Sequence, residues 1–160
     1  MPSCATPGSN KMALDRKNPD QYPPNIQAIL KRPAPAAVML GQEILEVDAK
    51  AGRVLVAYDT TDQLANRYGA IHGGMTAAIL DDVISLAAGL TIEWGQITPT
   101  LEMKVSYLAQ AKPGSRLIAE ARTVRRGGTV IFLEADLKDE AGKLIATASS
   151  TVMISQVKRP

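Results

Sequence analysis

The stretch Met75–Leu90 constrains this chain more than any other. Its polar side chains are few, Thr76, Asp81, Asp82 and Ser85, and the rest are Ala, Leu, Ile, Val, Met and Gly. Such a run predicts one long helix, Met75 to about Ile92, that is apolar on nearly every face and therefore covered on all sides. A single domain covers such a helix most simply with a curved sheet. The two carboxylates demand an explanation of their own, because an unpaired charge inside a covered helix costs several kcal/mol. Consecutive helix residues point about 100° apart, so Asp81 and Asp82 cannot both face one small site.

The flanking sequence supplies the sheet. Gly41–Asp48 and Arg53–Asp59 read as a hairpin, with Gly52 suited to a left-handed turn position. After the helix, alternation at Leu101/Met103/Val105/Tyr107, Leu117/Ala119/Ala121 and Ile131/Leu133/Ala135/Leu137 gives three strands, and Leu144–Ile154 a fourth. Turns at Lys112-Pro113-Gly114, Arg126-Gly127-Gly128 and Asp139-Glu140-Ala141-Gly142 separate them and imply an antiparallel meander. The expected class is α+β, one long central helix wrapped by a curved antiparallel sheet of about five to six strands. Pro23-Pro24 introduces a short amphipathic helix with Ile26, Ile29 and Leu30 on one face. Residues 1–20, rich in Pro, Ser, Asn and charge, read as a flexible tail, and residues 21–156 as one domain.

Composition narrows the function. With 160 residues there is room for one domain, and a net charge of +2 gives no pull toward nucleic acid. One cysteine, Cys4, and one histidine, His72, leave no disulfide framework and no multi-histidine metal site within a subunit. No apolar run is long enough to span a bilayer, and residues 1–20 lack the pattern of a secretory signal, so the expectation is a cytoplasmic protein.

His72-Gly73-Gly74 opens the helix. The first N–H groups of a helix lack internal partners and sit at the positive end of its dipole, so Gly73 and Gly74 can serve a developing oxyanion as well as a tight turn. His72 reads as a cap or packing residue as readily as a site residue. Asn66 is either a loop-turn residue or an amide aimed at a carbonyl or water. Thr100 is either an ordinary strand residue or a hydroxyl orienting a carboxylate.

The pattern Asn66-x5-His72-Gly73-Gly74-x6-Asp81, followed by Tyr107-x3-Ala111-x2-Gly114, resembles the hotdog-fold acyl-CoA thioesterases, in particular the PaaI-like branch related to 4-hydroxybenzoyl-CoA thioesterases. The resemblance spans about Ile29 to Ile154. It implies hydrolysis of an acyl- or aryl-CoA thioester without metal or organic cofactor, CoA being part of the substrate. It implies Asp81 as base or nucleophile, assisted by Asn66, Gly73 and Thr100. His72, Gly74, Arg125, Arg126 and Gly127 are then substrate-binding, the arginines toward the nucleotide phosphates. Asp81 and Gly74 lie roughly 10 Å apart along one helix, so a complete site needs two antiparallel helices. The family builds its sites this way, across a subunit interface, and a dimer, paired further into a tetramer, is expected, with Leu80, Ile84 and Ala88 as the helix face left for the partner. A hydroxyacyl dehydratase of the same fold is the rival enzyme, although Gly-Gly rather than Phe-Pro follows His72. A non-catalytic acyl-CoA-binding module is the rival from another class.

Overall fold

The computed structural model describes residues 12–13 and 19–156. In chain order these form β1 (Met12–Ala13), α1 (Pro24–Lys31), α2 (Pro35–Met39), β2 (Gln42–Asp48), β3 (Arg53–Asp59), α3 (Gly73–Gly89), β4 (Gln96–Ile97), β5 (Thr100–Tyr107), β6 (Arg116–Arg126), β7 (Val130–Asp139), β8 (Leu144–Met153) and β9 (Ser155–Gln156). Most of the expected tail, with Cys4, lies outside the described residues, but Met12–Ala13 pairs antiparallel with β2. No helix among the described residues is long and apolar enough to cross a membrane.

The long helix is α3, and the sheet wraps it as the apolar run requires. Ile79, Leu80, Val83, Ile84, Ala87 and Ala88 are all fully buried. They pack chiefly against β6, β7 and β3. Strand β7 shows the pattern most clearly: Ile131, Leu133, Ala135 and Leu137 are buried while Phe132, Glu134, Asp136 and Lys138 are exposed. Each buried aliphatic side chain contributes roughly 1.5–3 kcal/mol. The helix starts two residues before the expected Met75, because His72 caps it, and ends at Gly89 rather than Ile92. Its C-terminal carbonyls are taken from outside: Asn25 of α1 donates to the Gly89 and Ile92 carbonyls at 3.0 and 3.2 Å, and Arg126 Nε to the Thr91 carbonyl at 2.8 Å.

Three expectations need correction. The sheet is not a simple meander: its order is β1-β2-β3-β6-β7-β8-β5. Only β6–β7 and β7–β8 among the last four strands are hairpin neighbours. The Leu108–Ser115 link is longer than a tight turn, and it carries the chain across so that β5 pairs with β8 and β6 with β3. Next, α2 was not foreseen. Pro35 sits in its first turn, where the missing N–H is no loss. Finally, Leu80, Ile84 and Ala88 do not form an uncovered face. The curled sheet covers more than half of α3, and the flank left open carries the small or polar residues Ala77, Ala78, Asp81 and Ser85.

Gly41 ends α2 at φ +74°, and a Cβ there would stand 2.2 Å from the Asp59 carbonyl oxygen. Gly41→Ala is therefore expected to lower stability by about 2 kcal/mol or more, a Tm loss of roughly 4–8 °C. Gly95→Ala has φ +90° but open space around it, and should lose about half as much, from backbone strain alone. Thermal unfolding of the two variants beside the parent checks the difference.

Candidate active site

The first turn of α3 is built almost entirely from backbone. His72 is the N-cap, with φ −62° and ψ 136°, and its Nδ1 accepts the Gly74 N–H at 2.9 Å. The His72 carbonyl accepts from the N–H groups of Met75 and Thr76 at 2.9 and 3.0 Å. Tyr107, at the end of β5, donates its hydroxyl to the Gly73 carbonyl at 3.1 Å. Every N–H of this turn except one is thereby occupied. The exception is Gly73, whose N–H has no partner, at the positive end of the helix dipole. Of the two glycines, only Gly73 thus keeps a free N–H, Gly74 having been spent on the cap.

The two carboxylates part company as helix geometry requires. Asp81 lies on the open flank and accepts a hydrogen bond from the Thr100 hydroxyl at 2.9 Å through Oδ1, leaving Oδ2 without a partner. Asp82 turns into the protein, where the Tyr58 hydroxyl and the Gln42 amide both donate to its Oδ2, at 2.6 and 2.5 Å. Burial pushes the Asp82 carboxyl above the usual carboxylate range, with the Asp81 charge adding to the rise and the two hydrogen bonds opposing it. Tyr58, fully buried against that carboxylate, is pushed far up in turn.

Asn66 is a loop-turn residue. Its Oδ1 accepts the N–H groups of Tyr68 and Ala70 at 2.8 and 3.2 Å, which makes it the organiser of its own loop. Two backbone donors on one atom identify that atom as the oxygen, and the amide NH2 makes no hydrogen bond. The loop is held to the start of α3 through His72 N–H to the Leu64 carbonyl at 2.8 Å, and to the β5–β6 link through Ile71 N–H to the Ala111 carbonyl at 2.9 Å.

At the far end of the helix the β6–β7 turn carries the arginines. Arg126 is engaged on Thr91, while Arg125 is exposed and makes no hydrogen bond or ion pair. Gly127 closes the hairpin by donating to the Val130 carbonyl at 2.8 Å. Among the described residues no cluster of His, Cys, Asp and Glu could hold a metal ion.

The thioesterase superfamily model matches residues 68–146, a span that includes Gly73, Asp81, Thr100 and Arg125. Human acyl-coenzyme A thioesterase 13 is 32% identical over 110 residues, 68% of this chain and 78% of that protein. The chain belongs to the thioesterase superfamily. A solved phenylacetic acid degradation-related protein from Ralstonia eutropha JMP134 is 40% identical, with a TM-score of 0.72 over 77% of this chain and 92% of that one. A Streptococcus mutans UA159 protein solved with acetyl CoA shares the fold at 24% identity and a TM-score of 0.65, over 74% of this chain and 91% of that one.

Sequence reasoning about this thioesterase-superfamily chain missed Tyr107, Tyr58 and Gln42 as partners of the helix. Tyr107 stood in the quoted motif without a role. Nothing in local sequence pairs Gln42 or Tyr58 with Asp82 across the fold.

The Asp82 environment generates a pH prediction. A carboxyl whose folded pKa is raised stabilises the fold in its protonated form, and that stability is lost as pH rises from the unfolded value, about 4, through the folded one. Asp82→Asn removes this loss, and its single amide oxygen can still accept from both Tyr58 and Gln42. Urea unfolding should show the variant gaining on the parent as pH rises above the unfolded value of about 4. A constant gap above that value would contradict it.

Proposed function

We propose that this thioesterase hydrolyses an acyl- or aryl-CoA thioester to the free acid and CoA, with Asp81 and Gly73 at the reacting carbon. The observation that carries the reading is the open Asp81 carboxylate, held by Thr100, on the same helix whose one free first-turn N–H is Gly73's. The thioester carbonyl oxygen accepts from Gly73 N–H, and the Asn66 amide NH2 is the second candidate donor. Asp81 takes a proton from water as the water oxygen attacks the carbonyl carbon, or attacks that carbon itself to form a mixed anhydride that water then cleaves, releasing the acid and restoring the carboxylate. The C–S bond breaks and the thiolate leaves with a proton. These parts need no metal or organic cofactor, and we expect turnover to survive exhaustive chelation. With no cysteine pair for a disulfide, we also place the protein in the cytoplasm. A dehydratase would need His72 as its acid–base group, and His72 Nδ1 is committed to the Gly74 N–H.

The site requires a second subunit. Gly73 N–H and the Asp81 carboxylate are eight residues apart on one helix, roughly 12 Å along the axis, too far to share one carbon. A second copy running antiparallel along the open flank brings Gly73 of one chain to Asp81 of the other. The edge strand β5 is free to join it, and Leu101 and Tyr107 on that strand are 55% and 56% exposed. We propose a dimer on this basis, paired further into a tetramer.

Asp81→Asn should keep the fold and lose about a hundredfold or more in kcat, while Asp82→Asn loses little. Gly73→Pro deletes the free N–H at a position that tolerates proline, since His72 already has the extended ψ that precedes one. It should cost about 10²–10³-fold in kcat. Neither variant alone should be active, but mixing them should restore part of the turnover, because one site of each mixed dimer has both intact halves. Full activity in a monodisperse monomer, or no rescue after confirmed subunit exchange, would overturn the shared site.

Arg125→Ala should raise KM for CoA thioesters by about three- to tenfold with kcat held, because a phosphate contact remote from the carbonyl binds ground and transition states alike. The double Arg125→Ala/Arg126→Ala variant should also loosen the α3 terminus through loss of the Thr91 contact. A thioester lacking the nucleotide should show no change with Arg125→Ala. An equal effect on both substrates would place the arginine elsewhere.

A further inference from the structure

A glycine pair is a poor way to hold a hydrogen-bond donor still. Gly73 and Gly74 have no side chains to pack, and each loses more conformational freedom on ordering than any other residue. A donor stabilises a transition state only if it is already aimed when charge develops. Something outside the two residues must therefore fix their peptide planes.

The structure shows what does. The peptide between His72 and Gly73, which owns the free N–H, is held at its oxygen by the N–H groups of Met75 and Thr76. The next peptide, between Gly73 and Gly74, is gripped at both ends. Its N–H goes to His72 Nδ1 at 2.9 Å, and its carbonyl accepts from the Tyr107 hydroxyl at 3.1 Å. The first grip is local, from the adjacent residue. The second comes from 34 residues away, on the strand whose other end holds Asp81 through Thr100. The Tyr107 ring also stands beside the glycine, 3.6 Å from where a Cβ on Gly73 would lie. Tyr107 is 56% exposed, and its hydroxyl makes this one hydrogen bond.

We propose that Tyr107 is a positioning residue of the site, which with His72 clamps the Gly73–Gly74 peptide and so keeps the Gly73 N–H aimed at the thioester oxygen. The inference rests on the reading of Gly73 as the oxyanion donor. Its consequence is that Tyr107 and His72 act through one peptide and are not independent.

The test is a kinetic cycle on the full-length protein with an acyl-CoA substrate that the parent hydrolyses, using Tyr107→Phe, His72→Ala and the double variant. Tyr107→Phe keeps the ring and removes only the hydroxyl. It should lower kcat by about three- to tenfold with KM unchanged and Tm close to the parent's. His72→Ala should lower kcat by a similar or larger factor. The double variant should lose clearly less than the product of the two single losses, because the second change acts on a peptide already released. Parent-like kcat in Tyr107→Phe, an effect on KM alone, or losses that multiply would each overturn the proposal. Gly73→Pro separates this failure from that of the underlying reading. If it loses turnover while Tyr107→Phe keeps it, the donor stands and only the clamp is wrong. If Gly73→Pro hydrolyses at the parent's rate, the donor assignment fails and the clamp with it.

Discussion

Everything in this structure follows from the burial of α3. A helix apolar on most of its circumference has to be enclosed, and the curled sheet encloses all but one flank. Along that flank the residues are small or polar, and the only one there with reactive chemistry is Asp81. Because burial is so complete elsewhere, each polar group on the helix has to be either neutralised by dedicated partners or left at the opening. Asp82 takes the first course, with Tyr58 and Gln42, and Asp81 the second, with Thr100 alone. The difference in fate between two adjacent carboxylates is thus a consequence of a 100° rotation applied to an enclosed helix.

The same logic explains the helix termini. Orphan N–H and C=O groups at the ends of a buried helix must be paired, and here nearly all are. Asn25 and Arg126 serve the C-terminus, from α1 and from the β6–β7 turn. His72 serves the N-terminus, through its Nδ1 and its carbonyl. Against that background the unpaired Gly73 N–H is conspicuous.

Much of this was legible in the sequence because it rests on periodicity. The helix, the β2–β3 hairpin and the alternation in β6 and β7 all follow from spacing, and so does the parting of Asp81 from Asp82. What was illegible is what depends on distance in space. The pairing of β5 with β8 was hidden because the Lys112-Pro113-Gly114 turn sits inside a longer crossing and looks like any hairpin signal. Leu80, Ile84 and Ala88 were assigned to an interface because the extent to which a sheet curls cannot be read from the strands one at a time. His72 was correctly weighed as a cap, yet the choice between Gly73 and Gly74 as donor depended on which N–H that cap would take.

Strand β5 joins these threads. It touches α3 twice, at Asp81 through Thr100 and at Gly73 through Tyr107, and the strand and the helix run in opposite senses between those contacts. It is also the sheet's outer edge, one side paired with β8 and the other unpaired. An edge strand with exposed Leu101 and Tyr107 is a hazard in a monomer and an asset in an assembly. If a second copy lies along this edge and flank, then whatever shifts β5 shifts both chemical groups of its own chain and the contact that supplies the complementary pair. Site geometry and subunit pairing would then be one constraint: a substitution on β5 that weakens association should also degrade turnover at saturating protein concentration, where dissociation alone no longer matters.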